Sequence, residues 1–491
     1  MKTPLKIIFL TIILLSFTGG CSTNPATGNK SFTAFMSKEK EIRVGAEEHP
    51  KILKKFGGEY THGSLNSYIR VLGKKLASSS DIPDLPYRFI VLDDPKVNAF
   101  ALPGGYVYIT RGLLALANNE AEVAGVIAHE IGHITARHSA QRYSTSIATN
   151  IGLNIFGVLG SAAGVPTGLG EVVSFGADAA IQAYSRSQEL EADMLAIRYM
   201  SRAGYSPTAL ISFFKSLNSH SKLLSKQKGE KAVRHGIMST HPRTKDRITE
   251  AIRISKTKIP QNPVIGRTRY LTEINGIVFG DNLKHGIIQG QTFSHPNLRF
   301  SFTAPPNYTL INSPNKVTAI GPNKDRIEFS MVVLNKKSRF GSLESYLVNS
   351  WGKNIELGEI ETISINGLVA KTTTGKILNG RLLVRLLVIQ GAPWELFRFA
   401  FVTPVNPSKT VLTGMQRTTY SFRRLSWKEA KRIRPLRLKI KTIGANDSFA
   451  TLSNEMKGSN RKFIHDWFVL LNNLKTPITL KEGAKIKIIG H

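Results

Sequence analysis

The sequence predicts an α+β multidomain protein: a mainly helical domain with a β-hairpin edge, then a mixed α+β domain, then a small carboxy-terminal module. Three observations predict it. Apolar residues recur at helical spacing on both sides of a charge-free stretch over residues 143–170, whereas alternation of apolar and polar residues takes over beyond residue 263. Two stretches mark boundaries: 256–263 combines charge with Pro260 and Pro263, and 428–441 is strongly basic. The expected divisions are 1–20, 36–255, 271–425 and 438–490, within a chain of 491 residues that is long enough for several cores.

At the amino end Lys2 and Lys6 precede the apolar run 7–15, and Gly19 and Gly20 precede Cys21, the chain's one cysteine. Residues 1–20 read as a secretory signal, too short to span a membrane stably as a helix. Small residues directly before a cysteine resemble a bacterial lipobox. That resemblance implies lipidation of Cys21, and Ser22 in place of an aspartate implies delivery to the outer membrane rather than the inner. One cysteine allows no internal disulfide, so oxidising surroundings would not help this fold.

Residues 98–110 read as strand, Gly-Gly turn and strand, with Tyr106 and Tyr108 on one face and Val107 and Ile109 on the other. Such an edge can take an extended peptide by β-augmentation, so Asn98, Ala99, Phe100 and Ala101 are candidate substrate-binding residues. Next comes His129-Glu130-Ile131-Gly132-His133, an HExxH motif, in a stretch where Asn119 offers an N-cap and Val123, Val126, Ile127, Ile131 and Ile134 keep helical spacing. On a helix two histidines four apart share a face. Both imidazoles can then bind one zinc ion, with Glu130 within reach of a water held there.

A third ligand must come from elsewhere, because the longer pattern would need glycine at 136 and histidine at 139, where the chain has Ala136 and Ser139. Glu189 is the best candidate. Ser185 and Gln188 form a capping box that opens a second helix, which Gly204 can close, and Glu189 and Asp193 face the same way on it. Asp193 could accept the free ring N–H of His129 or His133 and fix its tautomer. Glu191 reads as a surface acid and His138 as structural.

These residues, with Arg137-His138, the run Glu189-Leu190-Glu191-Ala192-Asp193 and Ser239-Thr240-His241-Pro242 followed by Arg247, resemble family forty-eight of the metallopeptidases. That family includes the CAAX prenyl endopeptidase and HtpX, and the chain is most similar to its periplasmic lipoprotein branch. The resemblance implies a zincin-type (gluzincin) domain in which His129, His133 and Glu189 hold one zinc ion and Glu130 is the general base. It further implies that Asp193 supports a ligand histidine and that His241 and Arg247 lie near the substrate carbonyl. His241 could instead occupy the open zinc position and hold the site idle. Membrane members of the family carry spanning segments where this chain has residues 143–170; here the glycines and Pro166 predict a hairpin or lid instead.

Beyond 263, residues 299–303, 326–334, 382–389 and 395–402 read as strands. Ser342 can cap a short helix, and 408–422 has a helical rhythm. No catalytic constellation stands out there. After the basic stretch, residues 440–449, 470–472 and 480–488 resemble a LysM module, which implies the order strand, helix, helix, strand (βααβ), though the expected Pro-Gly-Asp-Thr turn is replaced by Ala445-Asn446-Asp447-Ser448. Such a module is expected to be separable from catalysis, with docking or peptidoglycan binding as its role.

The formal net charge is +32, most of the excess lying after residue 260. That favours anionic surfaces, and secretion argues against nucleic acid as the partner. The expectation is a lipid-anchored periplasmic zinc endopeptidase acting on unfolded or misassembled envelope proteins, with outer-membrane assembly machinery, the membrane and peptidoglycan as candidate partners. Two other readings compete with it: a non-proteolytic assembly factor with a gated zinc site, and a peptidoglycan-binding envelope protein.

Overall fold

A computed structural model describes residues 21–161, 183–228, 237–241, 245–257, 259–323, 325–334, 341–458, 461–475 and 477–491. Residues 1–20, expected to be a secretory signal, lie outside the described residues. The chain is α+β throughout and divides into two compact units, one of residues 1–277 with 438–456 and 462–490, the other essentially 278–437.

The first unit opens with a small antiparallel hairpin, β1 (Cys21–Thr23) and β2 (Lys30–Phe32). Helices α1 (Lys38–Lys55) and α2 (Leu65–Ser78) follow. Then comes a three-stranded sheet of β3 (Arg88–Leu92), β4 (Ala99–Leu102) and β5 (Tyr106–Thr110) in the order β3-β5-β4. β4 and β5 form the predicted hairpin, in register Phe100 to Tyr108. Gly104 and Gly105 turn it at φ +79° and +95°, where a Cβ would be strained. β4 is an edge strand, yet every one of its residues is buried. Phe100 packs with Ile52, Phe56, Leu102 and Tyr108.

Thr110 caps the short helix α3 (Arg111–Leu116), and Asn119 caps α4 (Glu120–Thr135), accepting from the Glu122 N–H. All of α4 is buried, so the motif helix crosses the core rather than lying half out of it. Each fully buried Ile or Val there contributes about 1.5–3 kcal/mol. The next helix, α5 (His138–Ser161), runs on from the motif. Of the stretch expected to form a hairpin or lid, 143–161 are helical despite Gly152 and Gly157, each of which costs a helix only about 1 kcal/mol. Residues 162–170, Pro166 among them, lie outside the described residues. Among the described residues no helix is long and apolar enough to cross a membrane.

α6 (Arg186–Arg202) starts with the predicted capping box of Ser185 and Gln188. It packs closely on α4. A Cβ on Gly132 would stand 3.1 Å from the Ala192 carbonyl oxygen, so the glycine inside HExxH is what lets the two helices approach. Helices α7 (Thr208–Lys228), α8 (Ile237–Thr240) and α9 (Lys245–Thr257) complete this part.

The carboxy-terminal residues show strand, two helices and strand, at Leu436–Thr442, Phe449–Glu455, Ile464–Asn472 and Lys485–Gly490. The expectation that this module stands apart is corrected, because residues 438–456 and 462–490 belong to the first unit. One buried lysine is a principal contact, alongside Lys226 to Asp466 and Arg267 to the Lys485 carbonyl. Lys487 donates from Nζ to the carbonyls of Ala115, Leu116 and Ala117 at 2.9, 3.1 and 2.7 Å, and Asn472 bonds both its N–H and its carbonyl. A lysine aimed at the last carbonyls of a helix meets groups that have no partner within that helix.

The second unit is built on an eight-stranded antiparallel sheet, which contains the predicted strands at Arg326–Val333, Leu382–Gln390 and Glu395–Pro404. A four-stranded sheet holds Phe300–Thr303. Phe293, Phe300, Phe302, Phe329, Phe397, Phe399 and Phe422 form its core, and Ser342 and Ser408 cap the predicted helices. The hairpin Thr309–Ser313 with Lys316–Ile320, and the long strand Leu368–Ile377, were not anticipated. Their half-exposed Thr, Ser and Lys faces weaken the alternation.

Candidate metal centre

α4 carries His129 and His133 one turn apart, with their Nε2 atoms 3.0 Å from each other. α6 brings Glu189 against both, Oε1 at 3.4 Å from His133 Nε2 and Oε2 at 3.7 Å from His129 Nε2. His241, directly after α8, adds Nδ1 at 2.9 Å from Glu189 Oε1 and 3.3 Å from His129 Nε2. One donor atom from each of His129, His133, Glu189 and His241 lies within 4.8 Å of all the others, and all four residues are buried. Around a tetrahedral zinc ion with ligands at about 2.0–2.1 Å, donor atoms stand roughly 3.3 Å apart. The shorter separations here match that spacing, so the residues fit the ion.

Both histidines of the HExxH motif are oriented from behind. His129 Nδ1 lies 2.9 Å from Asp193 Oδ1, and His133 Nδ1 lies 2.8 Å from His138 Nδ1. Each Nε2 is thus left for a metal. Arg247 reaches Asp193 twice, by Nε and Nη2 at 2.8 Å each, and Glu189 Oε2 by Nη1 at 2.5 Å. Arg247, expected near the substrate carbonyl, thus lies at the centre with three of its nitrogens turned to the two carboxylates.

Glu130 is fully buried, and among the described residues neither carboxylate oxygen has a hydrogen-bond partner. His241 Nε2 stands 3.5 Å from its Oε1. A carboxylate left without donors in the interior is costly unless something held at the site uses it. Burial pushes the Glu130 carboxyl up, with His241 and His129 opposing. Burial acts the same way on Glu189, but His241 and His133 outweigh it and hold that carboxyl well below the usual range. For His241 burial disfavours the proton, yet Glu189 and Glu130 prevail and its pKa is raised. Burial keeps His133 neutral, as a ligand must be.

The candidate substrate strand lies close by but closed. Asn98 to Ala101 are buried, Asn98 and Thr110 exchange hydrogen bonds, and the Ile237 N–H donates to the Val97 carbonyl at 3.0 Å. α8 therefore bonds the chain just ahead of the edge strand while delivering His241 to the ligands.

Several residues at the centre escaped the sequence reading. Tyr184 stacks on His133 with ring centroids 3.8 Å apart, under the Arg142 guanidinium at 4.3 Å. Nothing in the pattern before Ser185 signals it. The expectation of Glu191 as a surface acid is corrected, because it is half-buried and accepts from Asn24 and Thr27, whereas the structural reading of His138 meets no contrary observation. His138 is fully buried between His133 and Glu191, and its Nε2 lies 3.0 Å from Glu191 Oε2. The signal was there, in a second histidine directly after the motif helix and an acid two residues from Glu189.

Residues 64–255 match the family model described as peptidase family M48, a family whose metallopeptidases use zinc. The chain is 31% identical to the beta-barrel assembly-enhancing protease of Yersinia pestis over 215 residues, 42% of each chain. It is 30% identical to the protein of that name in Escherichia coli O157:H7 over 195 residues, 38% of each. The mitochondrial metalloendopeptidase OMA1 of Schizosaccharomyces pombe is 26% identical over 215 residues, 43% of this chain and 60% of the relative. The matched region thus spans about two fifths of the length of these bacterial relatives.

Proposed function

We propose that this chain, which carries a zinc metallopeptidase domain of family M48 over residues 64–255, is an endopeptidase of the bacterial envelope that degrades unfolded or misassembled envelope proteins. The observation that carries the reading is the buried set His129, His133 and Glu189 at tetrahedral spacing beside the unpartnered carboxylate of Glu130. Zinc held by those three residues would polarise the scissile carbonyl and acidify the attacking water. Glu130 accepts the proton of that water and later delivers it to the leaving amine. Burial raises its pKa, which suits both halves of the task. Asp193 holds the His129 ring and Arg247 holds Asp193 and Glu189, so the ligand set is in place before substrate arrives.

The position of His241 favours a resting state. Its Nδ1 sits where a fourth ligand belongs, and α8 ahead of it bonds Val97 beside the edge strand. Withdrawal of 237–241 would open the metal to water and the strand from Asn98 to Ala101 to an extended peptide in one movement. Lipidation at Cys21 would tether the enzyme at the periplasmic face of the outer membrane, where relatives named for β-barrel assembly suggest its clients and the assembly machinery as a partner. On this reading the strand–helix–helix–strand module is a LysM-like fold for docking or for binding peptidoglycan. Metal analysis of the full chain, with casein digestion before and after chelation, tests the central claim. Less than one zinc per chain at saturation, or digestion insensitive to the chelator, would remove it.

A further inference from the structure

The catalytic helix ends at a cluster of contacts made by the first residues after the signal. Arg137, at φ 56° just past the helix, donates to Ser22 Oγ at 3.0 Å, to the Met36 carbonyl at 2.7 Å and to Glu41 at 2.8 Å. Beside it a line of hydrogen bonds runs inward. Asn24 Nδ2 and Thr27 Oγ1 donate to Glu191 Oε1 at 3.0 and 2.7 Å. Glu191 Oε2 faces His138 Nε2 at 3.0 Å, and His138 Nδ1 faces His133 Nδ1 at 2.8 Å. Asn24 is itself buried, its Oδ1 accepting from the Ala26 N–H at 2.9 Å.

With both imidazoles neutral, the donors and acceptors along this line have one consistent assignment. Glu191 as a carboxylate can only accept, so His138 donates to it from Nε2 and is left with Nδ1 as an acceptor. His133 must then donate from Nδ1, which makes its Nε2 the lone-pair nitrogen, on the side of His129 and Glu189. We propose that His138 and Glu191 are positioning residues for the metal ligand His133, and that the amino-terminal hairpin, through Asn24 and Thr27, is the outermost member of the same relay. The segment that follows Cys21 thereby has a part in metal affinity, although it touches neither the metal ligands nor Glu130. Asp193 plays the same part for His129, so each ligand histidine has its own carboxylate, one direct and one through an imidazole.

The inference rests on the zinc reading of the site, and its test separates the two. Zinc affinity of the full chain is measured by competition with a chromophoric chelator, with circular dichroism and thermal melting as the check on folding. His138→Leu is expected to weaken zinc binding about 10–100-fold, the usual effect of losing such a partner. His138→Gln, which can accept from His133 and donate to Glu191, is expected to recover most of that loss. The double variant Asn24→Ala with Thr27→Val should weaken zinc several-fold while melting as the parent does without metal. If the folded Gln variant binds no more tightly than the Leu variant, or the hairpin variant binds as the parent does, the relay is overturned. Failure of the parent chain to bind zinc would instead overturn the zinc reading itself.

Discussion

Lys487 and Ala117 meet at 2.7 Å, the buried Nζ on the last strand donating to a carbonyl two residues ahead of Asn119, which caps the motif helix. Removing residues 426–491 should therefore abolish casein digestion, where the sequence alone predicts that it would spare it. Lys487→Met, which leaves three buried carbonyls without that donor, should cost about 2–4 kcal/mol in urea unfolding. A truncated chain that still digests casein would show that the module is separable after all.

Glu130→Gln keeps shape and removes the base. It should retain zinc and fold while turnover falls at least about a hundredfold. Near-normal digestion of casein by this variant would point to another base.

Arg247 bridges Glu189 and Asp193 through separate nitrogens, a fork that lysine cannot reproduce. Arg247→Lys should lower zinc affinity about tenfold or more, and Glu189→Ala should lose the metal altogether, because two histidines alone make a weak site. Stoichiometric zinc in Glu189→Ala would exclude that carboxylate as a ligand.

His241 sits among the ligands rather than beyond them, so His241→Ala should raise turnover of a short peptide by opening the fourth position. A clear fall in kcat with zinc retained would return His241 to a role in stabilising the transition state.

Acid should weaken the second unit through His295. Burial lowers its pKa to about 4 from an ordinary 6.5, and its Nδ1 accepts from the Leu298 N–H. The unfolded chain takes up the proton first as pH falls through about 6.5. Stability present above that pH is lost on acidification, by up to about 3 kcal/mol, and the loss is complete below about 4. Trp351, Trp394 and Trp427 lie in this unit, so their fluorescence in urea at pH 7 and pH 4.5 reports it. His295→Asn should flatten the dependence, and an unchanged slope would clear His295.

The order of the chain was sufficient to place the chemistry. HExxH on a capped helix, Glu189 on a second capped helix and Asp193 one turn further are local patterns, and helical periodicity turns their spacing into shared faces. Alternation likewise located most of the second unit's central strands, where one face is buried against phenylalanine. What the sequence could not decide is which distant segments fill the space around that chemistry. His138 between His133 and Glu191, Tyr184 over His133, Arg247 turned to carboxylates and Lys487 at the end of α3 all depend on contacts between residues far apart in sequence or on different elements. No periodicity encodes such contacts. They are set when helices close on one another and each buried charge or N–H must find a partner, a condition that only the packed tertiary structure can impose.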